Sequence, residues 1–108
     1  MEIELRGGEA VEKEIQGDYW GHLFGVLMIS QTRGHYGFTN ERIVFKGGFA
    51  TEVEIPYNEI ESITKCNVGG LIRLIPTGIK VQMKNGKKHF LSVLKRKDIM
   101  DMIQQKIA

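Results

Sequence analysis

The sequence predicts a mainly β fold, an antiparallel barrel or sandwich of six or seven strands closed by one C-terminal helix. Thirteen glycines and only two prolines divide the chain into short segments, a pattern typical of strands joined by turns. Near the C-terminus the apolar residues recur every three or four positions, which indicates a helix. With 108 residues, 42% of them hydrophobic, the chain can bury one core. We therefore expect a single domain over residues 1–108, in which residues 1–34 are the least clearly patterned.

The first predicted strands follow from alternation. An extended segment begins at Val11–Ile15, and Tyr36–Asn40 and Arg42–Lys46 are two strands joined by a tight Asn-Glu connection. In Thr51–Ile55 valine and isoleucine alternate with glutamate, which indicates a strand with one buried face. Pro56 should end that strand, because proline cannot donate a hydrogen bond to the ladder.

The second half of the chain continues the pattern. Ser62–Val68 is predicted as a strand, and Gly78–Met83 and Lys87–Leu94 should pair as a hairpin. Their turn would lie at Asn85-Gly86, since both residues accept the positive φ of a type I′ turn. The last strand is apolar on both faces at its end, so another element should cover one of them.

That element is the predicted helix over about residues 97–107. Four apolar residues lie on one of its faces at three- and four-residue spacing: Ile99, Met102, Ile103 and Ile107. A helix with one apolar stripe buries that stripe against a sheet. The C-terminal helix should therefore close the end of the β structure.

The composition excludes several classes of protein. No apolar run approaches the roughly 20 residues of a membrane span, and the N-terminus is acidic where a secretory signal would be basic and then apolar. The single cysteine, Cys66, cannot form an internal disulfide. We therefore expect a cytoplasmic protein, either free or peripheral at the membrane.

The sequence contains no recognisable catalytic or metal-binding motif. Its three histidines, His22, His35 and His89, are far apart, and no paired-cysteine or phosphate-loop spacing occurs. Glu59 and Glu61 lie beside a predicted turn, where solvated carboxylates are the ordinary interpretation. We expect no enzymatic activity, cofactor, metal or small-molecule substrate.

Charge is divided unevenly along the chain. Residues 1–54 carry five Lys/Arg against nine acids, a net charge of −4, and residues 55–108 carry ten against four, a net charge of +6. Such a division can steer an anionic partner to one side of the protein, or it can let the two halves attract each other within the fold.

A family resemblance appears in four segments taken in order. Gly37–Phe45 resembles the "G-x-x-T-x-x-R-hydrophobic-x-F" core of GRAM domains and of bacterial pleckstrin-homology-like (PH-like) domains, with one residue instead of two between the glycine and the threonine. Glu54–Ile63 is similar to their "I-P-hydrophobic-x-x-I-x-x-I" crossing between sheets. Gly78–Gly86, with the strand that contains Phe90, resembles their late hairpin, and the terminal helix follows. Together these segments cover about residues 35–107.

The resemblance implies a strongly bent β-sandwich of about seven strands, capped by the C-terminal helix and serving as a non-enzymatic module. Thr39 and Asn40 would make the local hydrogen bonds of a turn. Ile43 and Phe45 would point inward, with Arg42 and Val44 on the other face. These are structural roles, and a fold alone does not specify a ligand.

Six basic residues are candidates for binding an anionic lipid: Lys84, Lys87, Lys88, Lys95, Arg96 and Lys97. PH-like relatives often receive anionic headgroups on loops at the open end of the barrel. This sequence departs from the better phosphoinositide binders, because the Lys-x-n-Arg pair of their first hairpin is missing. The alternative is that the last three residues only solvate the start of the helix, although cations there oppose its dipole.

The segment Tyr19–Ile29 is a second candidate surface. It contains the only tryptophan and is more apolar than the first connection usual in the family. It can be a core strand, a membrane-dipping loop or a surface that pairs with another copy, with Tyr19, Trp20 and Phe24 as the contact residues.

Two functions therefore remain open. The first is a binding or assembly module for a protein partner or for itself, through a strand edge or the apolar segment. The second is peripheral recruitment to an anionic membrane through the basic loops. Nucleic acid is not expected as a partner, because the aromatic residues do not alternate with Lys/Arg on one face.

Overall fold

The computed structural model describes residues 3–23, 27–48, 51–68 and 75–108. Within them lie seven strands, one 3-10 turn and one helix. The first four strands are β1 (Val11–Leu23), β2 (Leu27–Thr39), β3 (Arg42–Gly47) and β4 (Glu52–Pro56). The turn at Tyr57–Glu59 leads to β5 (Ile60–Val68), β6 (Ile75–Met83), β7 (Lys88–Ser92) and the helix α1 (Arg96–Ile107).

The strands form one open antiparallel sheet in the order β4-β3-β2-β1-β7-β6-β5. Strand β1 connects its two halves, because it pairs with β2 from Val11 to Leu23 but with β7 only from Asp18 to Trp20. Before Asp18 the two neighbours of β1 therefore diverge, and the sheet opens toward α1. The predicted fold class, mainly β with seven strands and one C-terminal helix, is confirmed.

Close backbone contact accompanies this divergence at Gly17. A Cβ atom at this position would lie 2.6 Å from the carbonyl oxygen of Ser92 and 2.9 Å from the ring of Tyr36. Real Cβ atoms do not approach other atoms this closely, so only glycine fits without displacement.

The turn between β6 and β7 differs from the type I′ turn expected at Asn85-Gly86. The amide of Gly86 donates to the carbonyl of Met83 at 3.0 Å, which places Lys84 and Asn85 at the centre of the turn. Gly86 follows with φ of +92°, and the amide of Met83 donates to the carbonyl of Lys87 at 2.8 Å. This is the hairpin with a three-residue loop and a glycine bulge. The predicted hairpin is present, with its turn one residue earlier.

The main core lies between the bent sheet and α1. Its fully buried side chains come from both halves of the sheet and include Tyr36, Phe38, Phe45, Ile79 and Leu91. The helix contributes Ile99 and Ile103, both 0% exposed, and Met102 and Ile107 pack against the same cluster. The predicted apolar stripe of α1 is therefore the face that closes the sheet.

The opposite face of the sheet carries a smaller cluster of Trp20, Val68 and Phe90, with Cys66 packed against it. Neighbouring residues on a strand point to opposite faces, which explains why Phe90 joins this cluster while Leu91 joins the main core. Both faces of β7 are therefore covered.

A buried ion pair joins the N-terminal segment to the hairpin of β2 and β3. The guanidinium of Arg42 donates to both carboxylate oxygens of Glu9, at 2.8 and 3.0 Å, and the two side chains are 6% and 0% exposed. A further bond goes to the carbonyl of Glu4 at 2.7 Å, and Arg42 also pairs with Glu54. This pairing holds the pKa of Glu9 down at about 2 against an ordinary value of 4.5.

Thr39 completes this arrangement. Its hydroxyl accepts the amides of Glu41 and Arg42 at 3.0 and 2.9 Å and lies 2.8 Å from a carboxylate oxygen of Glu9. The side chain of Asn40 reaches the N-terminal segment, accepting the amide of Ala10 at 2.8 Å. Thr39 therefore binds its own turn, as expected, whereas the hydrogen bonds of the Asn40 side chain go to the N-terminal segment about 30 residues away and not to the turn.

Candidate functional site

The chain leaves the sheet at the end of β7 in a short, tightly held connection. The amide of Val93 donates to the carbonyl of Thr77 at 3.1 Å, and the Val93 side chain is buried. Leu94, the next residue, is 93% exposed. Helix α1 begins two positions later at Arg96. Leu94 is thus exposed to solvent between strand β7 and helix α1.

Four cations surround this connection, and we call them the basic cluster: Lys65, Lys95, Arg96 and Lys97. With Leu94, Pro76, Thr77 and Asp98 they line an open groove of about 370 Å³. Arg96 is fixed to strand β5, because its guanidinium donates to the carbonyl of Cys66 at 3.2 Å. Folding therefore adds Lys65 of β5 to the three consecutive cations of the sequence.

Nearby acids neutralise only part of this charge. Asp98 lines the same groove, and Lys97 forms an exposed ion pair with Asp101 at 3.2 Å. An exposed pair of this kind contributes little to stability and exchanges easily for another partner. The basic cluster with its two acids retains a net charge of about +2.

The cations do not stabilise the helix that they precede. The first turn of a helix favours negative charge, so Lys95, Arg96 and Lys97 oppose its dipole. Lys95 occupies the N-cap position, and no side chain caps the helix there. Since serine or aspartate would serve the helix better, helix stability does not explain why three cations stand at this position.

The remaining basic candidates lie at the other end of β7. Lys84, Lys87 and Lys88 are exposed on the β6–β7 hairpin, separated from the basic cluster by a five-residue strand, about 17 Å. Lys87 lines a depression that also contains Glu54 and Glu59. The structure therefore divides the six predicted cations into two surfaces, and the hairpin surface includes acids.

Tyr19 and Trp20 lie largely within the fold. The ring of Tyr19 stacks on Phe45 at 5.6 Å between centroids, and its hydroxyl lies 2.7 Å from Nδ1 of His89. Trp20 is 7% exposed, and its buried indole N–H has no hydrogen-bond partner among the described residues. Phe24, the third predicted contact residue, lies outside the described residues. Tyr19 and Trp20 therefore offer a partner little surface.

The described residues do not assemble an evident catalytic or metal centre. Burial and the charge of Lys87 lower the pKa of His89, and the hydroxyl of Tyr19 occupies its Nδ1 at 2.7 Å. Glu59 and Glu61 are exposed. No three side chains of His, Cys, Asp or Glu in this part of the chain are grouped closely enough to hold a metal ion. Similarly, none of its helices is long and apolar enough to cross a membrane.

Two residues of this surface, Leu94 and Lys65, were not predicted from the sequence. Leu94 directly precedes the three cations, but the alternation of β7 assigned it to an apolar strand face. Lys65 is 30 residues from Lys95, and nothing in the sequence indicates that they meet. Only the pairing of β5 with β6, and of β6 with β7, brings them together.

Several solved structures share the fold, among them two that cover most of this chain. The C-terminal domain of an unknown protein from Leishmania infantum matches with a TM-score of 0.72 at 19% identity, over 94% of this chain and 86% of that one. The Vps36 N-terminal PH domain matches with a TM-score of 0.65 at 14% identity, over 94% and 84%. No family model matches the sequence, and no curated protein matches it.

At these identities the similarity shows the fold alone. The PH-like fold predicted from the segments between residues 35 and 107 is confirmed. Its assignment to GRAM or to bacterial PH-like domains stays a prediction.

Proposed function

We propose that this chain is a non-catalytic module that docks on anionic membrane surfaces through the basic cluster. The observation that carries the proposal is the convergence of Lys65 with Lys95, Arg96 and Lys97 around one open groove. The hairpin lysines support it less, because acids share their surface. Their expected part in lipid binding is therefore secondary in this proposal.

The magnitude of the charge sets the kind of binding. Each cation near an anionic bilayer contributes about 1 kcal/mol, and Asp98 and Asp101 offset part of the total. Electrostatic binding of this size is weak and reversible, and it is screened strongly at physiological salt. The domain would thus be recruited to highly charged membranes and released from neutral ones.

Vesicle sedimentation tests the proposal. Wild-type protein should sediment with vesicles of phosphatidylcholine and phosphatidylserine in equal parts at low salt, and remain in the supernatant with pure phosphatidylcholine. The double variant Lys95→Glu/Lys97→Glu should lose most of this binding. A matched variant, Lys84→Glu/Lys87→Glu, makes the same change of charge on the hairpin and should retain most of it.

Two results would contradict the proposal. One is the absence of sedimentation at low salt with the anionic vesicles. The other is equal loss of binding in both double variants, since that would indicate a response to net charge rather than to one surface. Far-UV circular dichroism of each variant verifies that it is folded.

A protein partner is the second candidate, favoured by the open edge of β5. This strand ends the sheet, and an added strand can pair with an exposed edge. Irregularities in register between Ile60 and Ser62, and again between Cys66 and Val68, limit the regular edge to Ser62–Cys66. Such irregularities discourage edge pairing, so this candidate is weaker. Light scattering tests its self-association form, which a monomeric mass at high concentration would contradict.

A further inference from the structure

Leu94 gives the proposed membrane contact a specific geometry. We propose that this side chain enters the acyl region of an anionic bilayer while the basic cluster binds the headgroups around it. The domain then binds with the β7–α1 connection against the bilayer and the β6–β7 hairpin directed away from it. This inference rests on the proposed function and adds to it the partner, a fluid bilayer with an accessible apolar interior.

The exposure of Leu94 is the first argument. It is 93% exposed, about twice the exposure of the other large exposed hydrophobic residues in the described part of the chain, which are Leu5 at 47%, Ile75 at 44% and Val11 at 38%. A single exposed leucine is common in proteins. This one is unusual because cations of both β5 and α1 line the groove beside it.

The rigidity of the support is the second argument. Leu94 follows Val93, whose amide is bound to Thr77 and whose side chain is buried. It precedes Lys95, whose carbonyl accepts the amide of Ile99 in the first bond of α1. An apolar side chain held outward on a fixed backbone loses little conformational freedom when it inserts.

The arrangement of charge around the tip is the third argument. Lysine and arginine side chains can extend to the headgroup level while an apolar neighbour lies deeper. Strand β6 begins with Ile75 at the end of the sheet where β7 ends. Gly78, three residues further along β6, pairs with Ser92 of β7. The apolar and cationic residues therefore lie at one end of the sheet.

The shape favours a bilayer over a protein partner. Protein interfaces place a projecting anchor in a complementary pocket of the partner, whereas a fluid bilayer accepts a projecting side chain without a preformed pocket. The excess of positive charge beside Leu94 matches an anionic lipid surface. A second copy of this chain would place two such positive surfaces against each other if the contact were isologous.

The experiment compares two exposed leucines. Leu94→Ala should lower the affinity for the equimolar phosphatidylcholine and phosphatidylserine vesicles about tenfold, and Leu5→Ala, a matched change on the N-terminal segment, should leave it unchanged. Leu94→Trp should show a blue-shifted emission with these vesicles and quenching by brominated acyl chains. Leu5→Trp should show neither. The single native tryptophan, Trp20, is buried, and the wild-type spectrum supplies its background.

The outcomes separate the inference from the proposed function. If wild-type protein binds the anionic vesicles but Leu94→Ala binds equally and Leu94→Trp is not quenched, the domain adsorbs by charge alone and the inference is wrong. If wild-type protein does not bind these vesicles at low salt, the proposed function is wrong. A dimer that Leu94→Ala dissociates, seen by light scattering without vesicles, would assign Leu94 to a second copy and overturn the inference.

Discussion

The buried pair of Glu9 and Arg42 allows a quantitative prediction about stability. Glu9→Gln keeps the size of the side chain and removes its charge, which leaves the guanidinium of Arg42 buried beside a neutral amide. A carboxyl whose pKa falls from 4.5 to about 2 on folding stabilises the fold by about 3 kcal/mol above pH 5. Breaking a buried pair by removing one partner costs a similar amount. We therefore expect Glu9→Gln to lower the free energy of unfolding by about 3 kcal/mol at pH 7.

The pH dependence follows from the sign of the shift. Because the pKa of Glu9 is lower in the folded state, its contribution is complete above the unfolded value of 4.5 and is lost as the pH falls toward 2. Wild-type protein should lose stability between pH 5 and pH 3, and Glu9→Gln should lose less over the same range. The remaining acids are present in both proteins, so the difference between the two pH profiles isolates the change at Glu9.

Urea denaturation at several pH values measures both effects. Glu4→Gln is the matched control, because the Glu4 side chain is exposed and only its carbonyl binds Arg42. That variant should lie within about 0.5 kcal/mol of wild type. A Glu9→Gln protein as stable as this control at pH 7, or one with the full wild-type acid dependence, would refute the assigned role of the pair.

Two further changes test the packing of the fold. Ile103→Ala leaves a cavity at a site of α1 that is 0% exposed, and it should lower the free energy of unfolding in urea by about 2–5 kcal/mol. Gln104→Ala, on the exposed side of the helix, should lower it little. Similar losses of stability in the two variants would contradict the assigned helix face. Gly86→Ala places a Cβ on a residue with φ of +92° and should lower the melting temperature by about 4–8 °C, the equivalent of about 1 kcal/mol in a domain of this size. An unchanged melting temperature would indicate a different turn.

Local patterns predicted the elements whose signal lies within a few residues. The alternation of apolar and polar residues located β4, which ends at Pro56 as predicted. The spacing of four apolar residues located α1 within one residue of its start. The family resemblance of Gly37–Phe45 predicted that Thr39 lies in a turn, and the Thr39 hydroxyl accepts the amides of two turn residues. These features depend on neighbouring residues, which sequence analysis can read directly.

Features that depend on distant residues were missed. Glu9 lies more than 30 residues before Arg42, so no local pattern shows that they pair. The meeting of Lys65 with Lys95 likewise needs the order of three strands. The turn at Gly86 was misjudged for another reason, because an Asn-Gly pair suits both a type I′ turn and a turn followed by a glycine bulge.

The central claim, that the basic cluster is the surface which meets the membrane, is tested most directly by an NMR titration of the labelled domain with small anionic bicelles. We expect the amide signals of residues 94–97 and of Lys65 to shift or broaden first, while those of residues 84–88 change little. Selective changes on the hairpin, or changes confined to the β5 edge at residues 62–64, would contradict this account.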